Sequence, residues 1–142
     1  MLSVKEGVRK VKLLRVTGYG LLFLLIVFLD QASKFLVPKL GFEVVFNKGI
    51  AFGLFPDFLW VMFLPLVLLA AIVYRSKLHL SLITYHLSLI FGGGLSNLLD
   101  RLWFGAVRDW IKFPLIPTFN LADLAITLGF LLLVYHFLFQ AT

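Results

Sequence analysis

The sequence predicts an all-α membrane fold, a bundle of four transmembrane helices joined by short connections. Two observations carry this reading. Hydrophobic residues make up 61% of the 142-residue chain and the mean hydropathy is +1.02, whereas soluble domains are about half apolar. The apolar residues are also gathered into four runs nearly free of charge, of about the ~20-residue length that crosses a bilayer. The length suits one integral membrane domain over residues 1–142.

Composition also excludes whole classes of function. There is no cysteine, which rules out disulfides, thiolate metal sites and a cysteine nucleophile. The net charge is +6, but the basic residues are dispersed apart from one cluster ahead of the first apolar run, which favours anionic lipid over nucleic acid as the partner. The 16 Phe residues lie mostly inside the runs and act there as apolar bulk.

Residues 1–15 carry Lys5, Arg9, Lys10, Lys12 and Arg15 against Glu6, which reads either as a basic amphipathic segment on the cytoplasmic membrane surface or as a loose tail. The first span covers 16–37 and takes in Asp30 and Lys34 near its end. A basic start before an apolar core also resembles a secretory signal peptide, but Asp30 would stand at the -3 position of a cut after Ala32, where a small residue is needed. The segment is therefore read as a span.

Residues 38–57 contain Pro38, Gly41, Gly49, Gly53 and Pro56, with a β-prone stretch at 42–46; a short extramembrane hairpin is expected. The second span covers 58–74 with a kink at Pro65, and Arg75, Ser76 and Lys77 make a basic turn. The third span covers 78–99, with Ser88, Gly92 and Ser96 along one face, the spacing that lets helices approach closely. Gly105, Pro114 and Pro117 mark the next connection, with a short interfacial helix expected over 102–113. The fourth span covers 120–139.

Four spans put both termini on one side. The basic cluster ahead of the first helix places that side in the cytoplasm. The end of span one, the end of span three and the start of span four then meet at the outer leaflet. There, Asp30 and Lys34 share a helix face at i and i+4, as do Asn97, Asp100 and Arg101, and Asn120 precedes Asp123 by three. Local neutralisation of Asp30 by Lys34 and of Asp100 by Arg101 is as open a reading as a chemical role.

Asp109 and Asp123 differ from these. Arg108 adjoins Asp109, but on a helix neighbouring side chains point apart, and no basic residue lies within ten positions of Asp123. Two carboxylates close together in a low-dielectric site cannot both ionise, so one proton is shared. The ionised member can then activate water while the protonated one polarises a carbonyl, which is acid-base peptide hydrolysis.

Rival chemistries are weaker. Ser96 is far from His79, His86 and His136 along the predicted helices, and neither a metal-binding histidine spacing nor the lysine of a phosphate loop is present. No metal or cofactor is expected. A small transporter or proton channel is the alternative function, but it predicts charges through the membrane depth, and the middles of spans two and four have none. A scaffold protein would explain the helices and not the asparagine-aspartate layer.

The segments DQASK at 30–34, FNKGIAFG at 46–53, GGGLSNLLDRLWFGAVRDW at 92–110 and FNLAD at 119–123 together resemble, in order and spacing, the motifs of the lipoprotein signal peptidase (signal peptidase II) family. The resemblance implies a bacterial inner-membrane aspartyl endopeptidase, with its site near the outer leaflet, acting on lipid-modified prolipoproteins. It would cut just before a diacylglyceryl-modified cysteine. By motif the catalytic pair falls on Asp109, in the Val-x-Asp-aromatic position, and Asp123. Substrate-binding or supporting positions fall on Asp30, Lys34, Asn47, Gly49, Asn97, Asp100, Arg101 and Asn120. It also implies a small extracytoplasmic β-rich platform over the site and a protein that works as a monomer among membrane lipids. Gly94, Ser96, Ile50 and Trp110 depart from the commonest family residues, all but Trp110 in small or apolar positions.

Overall fold

The computed structural model describes residues 2–49 and 80–140. The expected second span at 58–74, the Pro65 kink, the basic turn at 75–77 and the later part of the 38–57 loop lie outside the described residues.

Helix α1 (Leu2–Leu36) joins the basic segment to the first span without a break. Its 35 residues make a rod about 52 Å long, longer than the ~30 Å hydrocarbon layer, so its basic end reaches past the apolar zone. Residues 2–15 are thus helix and not a loose tail. A 3-10 turn (Val37–Leu40) and Gly41 then release the chain into strand β1 (Val45–Asn47).

Helix α2 (Leu80–Phe104) runs past residue 99, the predicted end of the third span. It stops where Gly105 takes φ 69° and donates its N–H to the Arg101 carbonyl at 3.0 Å, a turn that glycine makes without a Cβ clash. The interfacial helix expected over 102–113 does not form. After Phe104 the chain enters strands β2 (Val107–Asp109) and β3 (Ile111–Phe113), and β4 (Ile116–Phe119) follows a turn through Leu115. The reason is a partner remote in sequence: β1 pairs antiparallel with β2, setting Val45 opposite Asp109, Phe46 opposite Arg108 and Asn47 opposite Val107. β3 pairs antiparallel with β4. The β-prone stretch does form a strand, and among the described residues its partner is β2, not the loop that follows it.

Helix α3 (Leu121–Gln140) completes the chain. Helix α2 packs against both α1 and α3. A Cβ on Gly93 would lie 2.5 Å from the Ala122 carbonyl oxygen of α3, and one on Gly129 of α3 would lie 2.8 Å from the His86 carbonyl oxygen. The two backbones are therefore in near contact, as small residues allow in membrane helices. On the predicted small-residue stripe, Gly92 faces Phe23 and Ile26 of α1.

Burial is inverted relative to a soluble protein. Among the described residues the largest fully buried side chains are Lys34, Asn120, Asp30, Asp100, Asp109 and Ser96. Leu21, Leu24 and Phe28 of α1 and Leu128, Leu131 and Phe137 of α3 point outward. Water would make that arrangement costly, and lipid makes it natural. Thr17–Leu40 and Leu121–Phe139 are long and apolar enough to cross a membrane. The fold is a mostly helical membrane fold with small sheets.

Gly93→Ala should lower thermal stability in detergent by about 1–3 kcal/mol, because the added methyl meets backbone. Gly94→Ala meets nothing within 4 Å and should hold or raise stability, since alanine favours helix by up to about 1 kcal/mol. Parallel melting curves of the two variants check this, and equal melting temperatures would contradict the packing described.

Candidate active site

FNLAD builds the first part of the site through its local turn. Asn120 caps α3: its Oδ1 accepts the Asp123 N–H at 2.9 Å, and Asp123 Oδ2 accepts the Asn120 N–H at 3.2 Å. This reciprocal pair is a capping box with aspartate in the role usually taken by Glu or Gln. It sets Asp123 in the first turn of α3, where the helix dipole favours negative charge.

With its Oδ1 used by the cap, Asn120 directs its Nδ2 outward. That group donates to Asp109 Oδ1 at 2.7 Å and to Asn97 Oδ1 at 3.1 Å. Asn97 in turn donates to Asp123 Oδ1 at 2.8 Å. Asn47 of β1 donates to Asp109 Oδ2 at 3.1 Å, and its own Oδ1 accepts the Gly49 N–H at 3.0 Å. Asp109 and Asp123, remote along the chain, thus hang from one asparagine and line one cavity of about 400 Å³. Asn47, Gly49, Asn97 and Arg101 line its polar side, and Ile116, Pro117, Leu124 and Ile126 its apolar side.

Burial comes first among the causes that raise the Asp109 carboxyl to about 6, and the charge of Asp123 adds to it. The bonds from Asn47 and Asn120 oppose that rise. Among the described residues neither Asp109 nor Asp123 has an ion-pair partner.

A second group of charges lies beside this pair and is fully compensated. Lys34 Nζ sits 2.6 Å from Asp30 Oδ2 and 3.1 Å from Asp100 Oδ2, and donates to Asn97 Oδ1 at 3.0 Å. Asp30 also accepts from Ser96 Oγ at 2.7 Å and from the Ala122 N–H at 2.9 Å. Asp100 accepts the Arg108 N–H at 2.9 Å, Arg108 Nη2 at 2.8 Å and Gln31 Nε2 at 3.0 Å.

The local pairing of Asp30 with Lys34 is therefore present, whereas a pairing of Asp100 with Arg101, the other local neutralisation left open, is not. Helix geometry turns Arg101 toward the Asn97 and Gly49 carbonyls, at 3.3 and 3.2 Å, and β2 brings Arg108 to Asp100 instead. Ser96 serves Asp30 and Gln31. His86 and His136 meet edge to face, with ring centroids 5.8 Å apart and planes inclined at 64°.

Sequence reasoning missed Gln31 and Arg108. Gln31 stands inside the DQASK segment beside Asp30, which was the available signal. Arg108 was set aside on a helical argument, although on a strand it also points away from Asp109, toward α2.

A family profile for signal peptidase (SPase) II matches residues 22–139. The chain belongs to the signal peptidase II family. Its relatives include proteins named lipoprotein signal peptidase. That of Moorella thermoacetica is 36% identical over 139 residues, covering 85% of this chain and 93% of its own length. That of Syntrophomonas wolfei is 40% identical over 129 residues, covering 79% and 87%. Among solved structures, a bacterial membrane enzyme determined by the in meso method at 2.3 Å resolution superposes with a TM-score of 0.72 at 25% identity. The match covers 87% of this chain and 88% of that one.

In this signal peptidase II, Lys34 offsets two carboxylates out of reach of water, its side chain and those of Asp30 and Asp100 all at 0% exposure. Lys34→Met should lower stability by about 3–5 kcal/mol, the usual effect of stranding a buried charge. Lys112→Ala, which breaks the exposed pair with Glu43, should leave the melting temperature unchanged. Thermal unfolding in detergent measures both, and a Lys34→Met protein that melts like wild type would contradict this role.

Proposed function

We propose that Asp109 and Asp123 are the catalytic pair of this enzyme. The chain is a lipoprotein signal peptidase, an aspartic peptidase of the bacterial membrane that removes signal peptides from prolipoproteins. The observation that carries the assignment to residues is the shared asparagine: Asn120 holds Asp109 by its side chain and Asp123 by the helix cap, and neither carboxyl is neutralised by a cation among the described residues.

The pair works with one proton. Its ionised member takes a proton from water as the water oxygen attacks the scissile carbonyl, and the protonated member gives its proton to the carbonyl oxygen as that oxygen becomes negative. Collapse of the tetrahedral diol breaks the C–N bond: the proton taken from water passes to the leaving nitrogen, and one diol hydroxyl returns its proton to the other carboxylate, which restores the one-proton pair. The proton belongs to the coupled pair and not to either residue.

The apolar wall of the cavity suits a lipid-bearing substrate, which fits cleavage next to a diacylglyceryl-modified cysteine. We read four spans with both termini in the cytoplasm and the pair near the outer leaflet, supported by the basic residues that precede the first apolar run. Of the supporting positions, Asn47, Asn97 and Asn120 bond the pair, Gly49 and Arg101 line its cavity with them, and Asp30, Lys34 and Asp100 form the adjoining charge cluster that reaches the pair through Asn97. We read the enzyme as acting as a monomer.

Asp109→Asn and Asp123→Asn should each lower turnover of a lipidated prolipoprotein by a factor on the order of 10³ or more, with the protein still folded and inserted. Release of signal peptide followed by mass spectrometry measures this, and near-normal turnover by either variant discards the assignment. The pair loses its last proton as pH rises through the raised Asp109 value, so kcat/KM should decline above about 6. The limb for kcat should lie higher, because bound substrate excludes water and favours the neutral form. A kcat/KM profile that is flat from pH 5 to about 9 would contradict the shared proton.

A further inference from the structure

We propose that Arg108 is a positioning residue that sets where Asp109 points and how tightly the pair holds its proton. The inference rests on the reading of Asp109 and Asp123 as the catalytic pair, and Arg108 is outside the residues that the family motif assigns, at the open position of Val-x-Asp-aromatic.

Two observations carry it. The first is geometric. Side chains alternate along a strand, so Arg108 faces away from its buried neighbours Val107 and Asp109. On that far face Arg108 is fixed three ways. Its N–H and its Nη2 both go to Asp100, at 2.9 and 2.8 Å. Its Nη2 also meets Gln31 Oε1 at 2.8 Å, and its guanidinium lies 4.2 Å from the centre of the Phe104 ring. A three-residue strand with so little ladder is held in register by these bonds. A slip of one residue would turn Asp109 away from the cavity.

The second observation is charge balance. Asp30, Lys34, Asp100 and Arg108 form one contiguous cluster of two negative and two positive groups. Without Arg108 the cluster keeps one uncompensated negative charge beside the pair, and Asp100 competes harder for the ammonium that also bonds Asn97. The charged groups around Asp109 among the described residues are Asp30 and Lys34 of α1, Asp100 and Arg101 of α2, Arg108 of β2 and Asp123 of α3. Lys112 of β3 is turned outward to Glu43. An added negative charge favours the protonated carboxyl, so the pair keeps its proton to higher pH.

The test measures kcat/KM against pH, with melting temperature, for the full-length enzyme in detergent on a lipidated prolipoprotein. Arg108→Gln should lower kcat several-fold and move the alkaline limb up by about half a unit to one unit. Arg108→Lys keeps the charge but cannot reach Asp100 and Gln31 together, so its limb should stay at the wild-type pH while kcat remains reduced. Asp100→Asn leaves an excess positive charge and should move the limb down. The double variant Asp100→Asn/Arg108→Gln is neutral again and should bring the limb back to the wild-type pH.

A merely structural Arg108 would change the melting temperature and leave the limb in place in all four variants, and that result overturns the proposal. So does a double variant whose limb stays displaced. Should Arg108→Gln fail to fold, Asp100→Asn and Arg108→Lys still decide, by whether the limb moves in the first and stays in the second. An inactive Asp109→Asn enzyme together with an unmoved limb in Arg108→Gln would defeat this inference alone, whereas an active Asp109→Asn enzyme would defeat the catalytic reading beneath it.

Discussion

One ammonium group organises this protein. Lys34 reaches Asp30, Asp100 and Asn97 from a position with no exposed side-chain surface, and each partner leads to a different part of the fold. Asp30 accepts the Ala122 N–H and so fixes the start of α3 to α1. Asp100 holds β2 through Arg108. Asn97 carries the connection to Asp123. Buried ion pairs add little net stability where water is the alternative, and their better-supported effect is to select one arrangement over others. Between helices that share apolar faces with lipid, such selection matters more, because apolar contact with a neighbour is scarcely better than apolar contact with acyl chains.

The asparagines pass that selection on as direction. Asn120 Oδ1 is occupied by the helix cap, so its amide nitrogen must face Asp109 and Asn97. Asn97 Oδ1 accepts from Lys34 and from Asn120, so its nitrogen must face Asp123. A fixed order of donors therefore runs from the ammonium to the two carboxyls. At Asp109 burial outweighs the opposing effect of the Asn47 and Asn120 hydrogen bonds and of the Lys34 charge, so its carboxyl stays raised although donors hold it in place. Donors set in advance around groups that change charge are the arrangement that costs least to reorganise during reaction.

The parts legible in the sequence were those encoded locally. Apolar runs marked α1, α2 and α3, the i and i+4 spacing marked the Asp30 and Lys34 pair, and the motif order located Asp109, Asp123 and their supporting asparagines. What could not be read depended on contacts between distant segments. The stretch 102–113 looked helical beside a long helix, yet β1, some sixty positions earlier in register, offers it a strand partner. Once β2 exists, Arg108 lies opposite Phe46 and turns to Asp100, so Asp100 pairs across a turn and not with its neighbour Arg101. Gln31 is silent for the same reason: its partners Ser96, Asp100 and Arg108 all belong to other elements.

The placement of the site follows from the same division between local and distant order. Helices supply carboxylates near their ends, where charge is tolerable, and both α1, with Asp30 and Lys34, and α2, with Ser96, Asn97 and Asp100, bury polar groups along their last turns. The cavity has a polar wall of Asn47, Asn97 and Arg101 and an apolar wall of Ile116, Pro117, Leu124 and Ile126. Asp109 comes from a strand and Asp123 from a helix, and the first is held near the second by the pairing of β1 with β2, by the Trp110 N–H to the Phe119 carbonyl and by the Asn120 side chain. The short strands, although few in residues, thus help to set Asp109 beside Asp123 at one cavity.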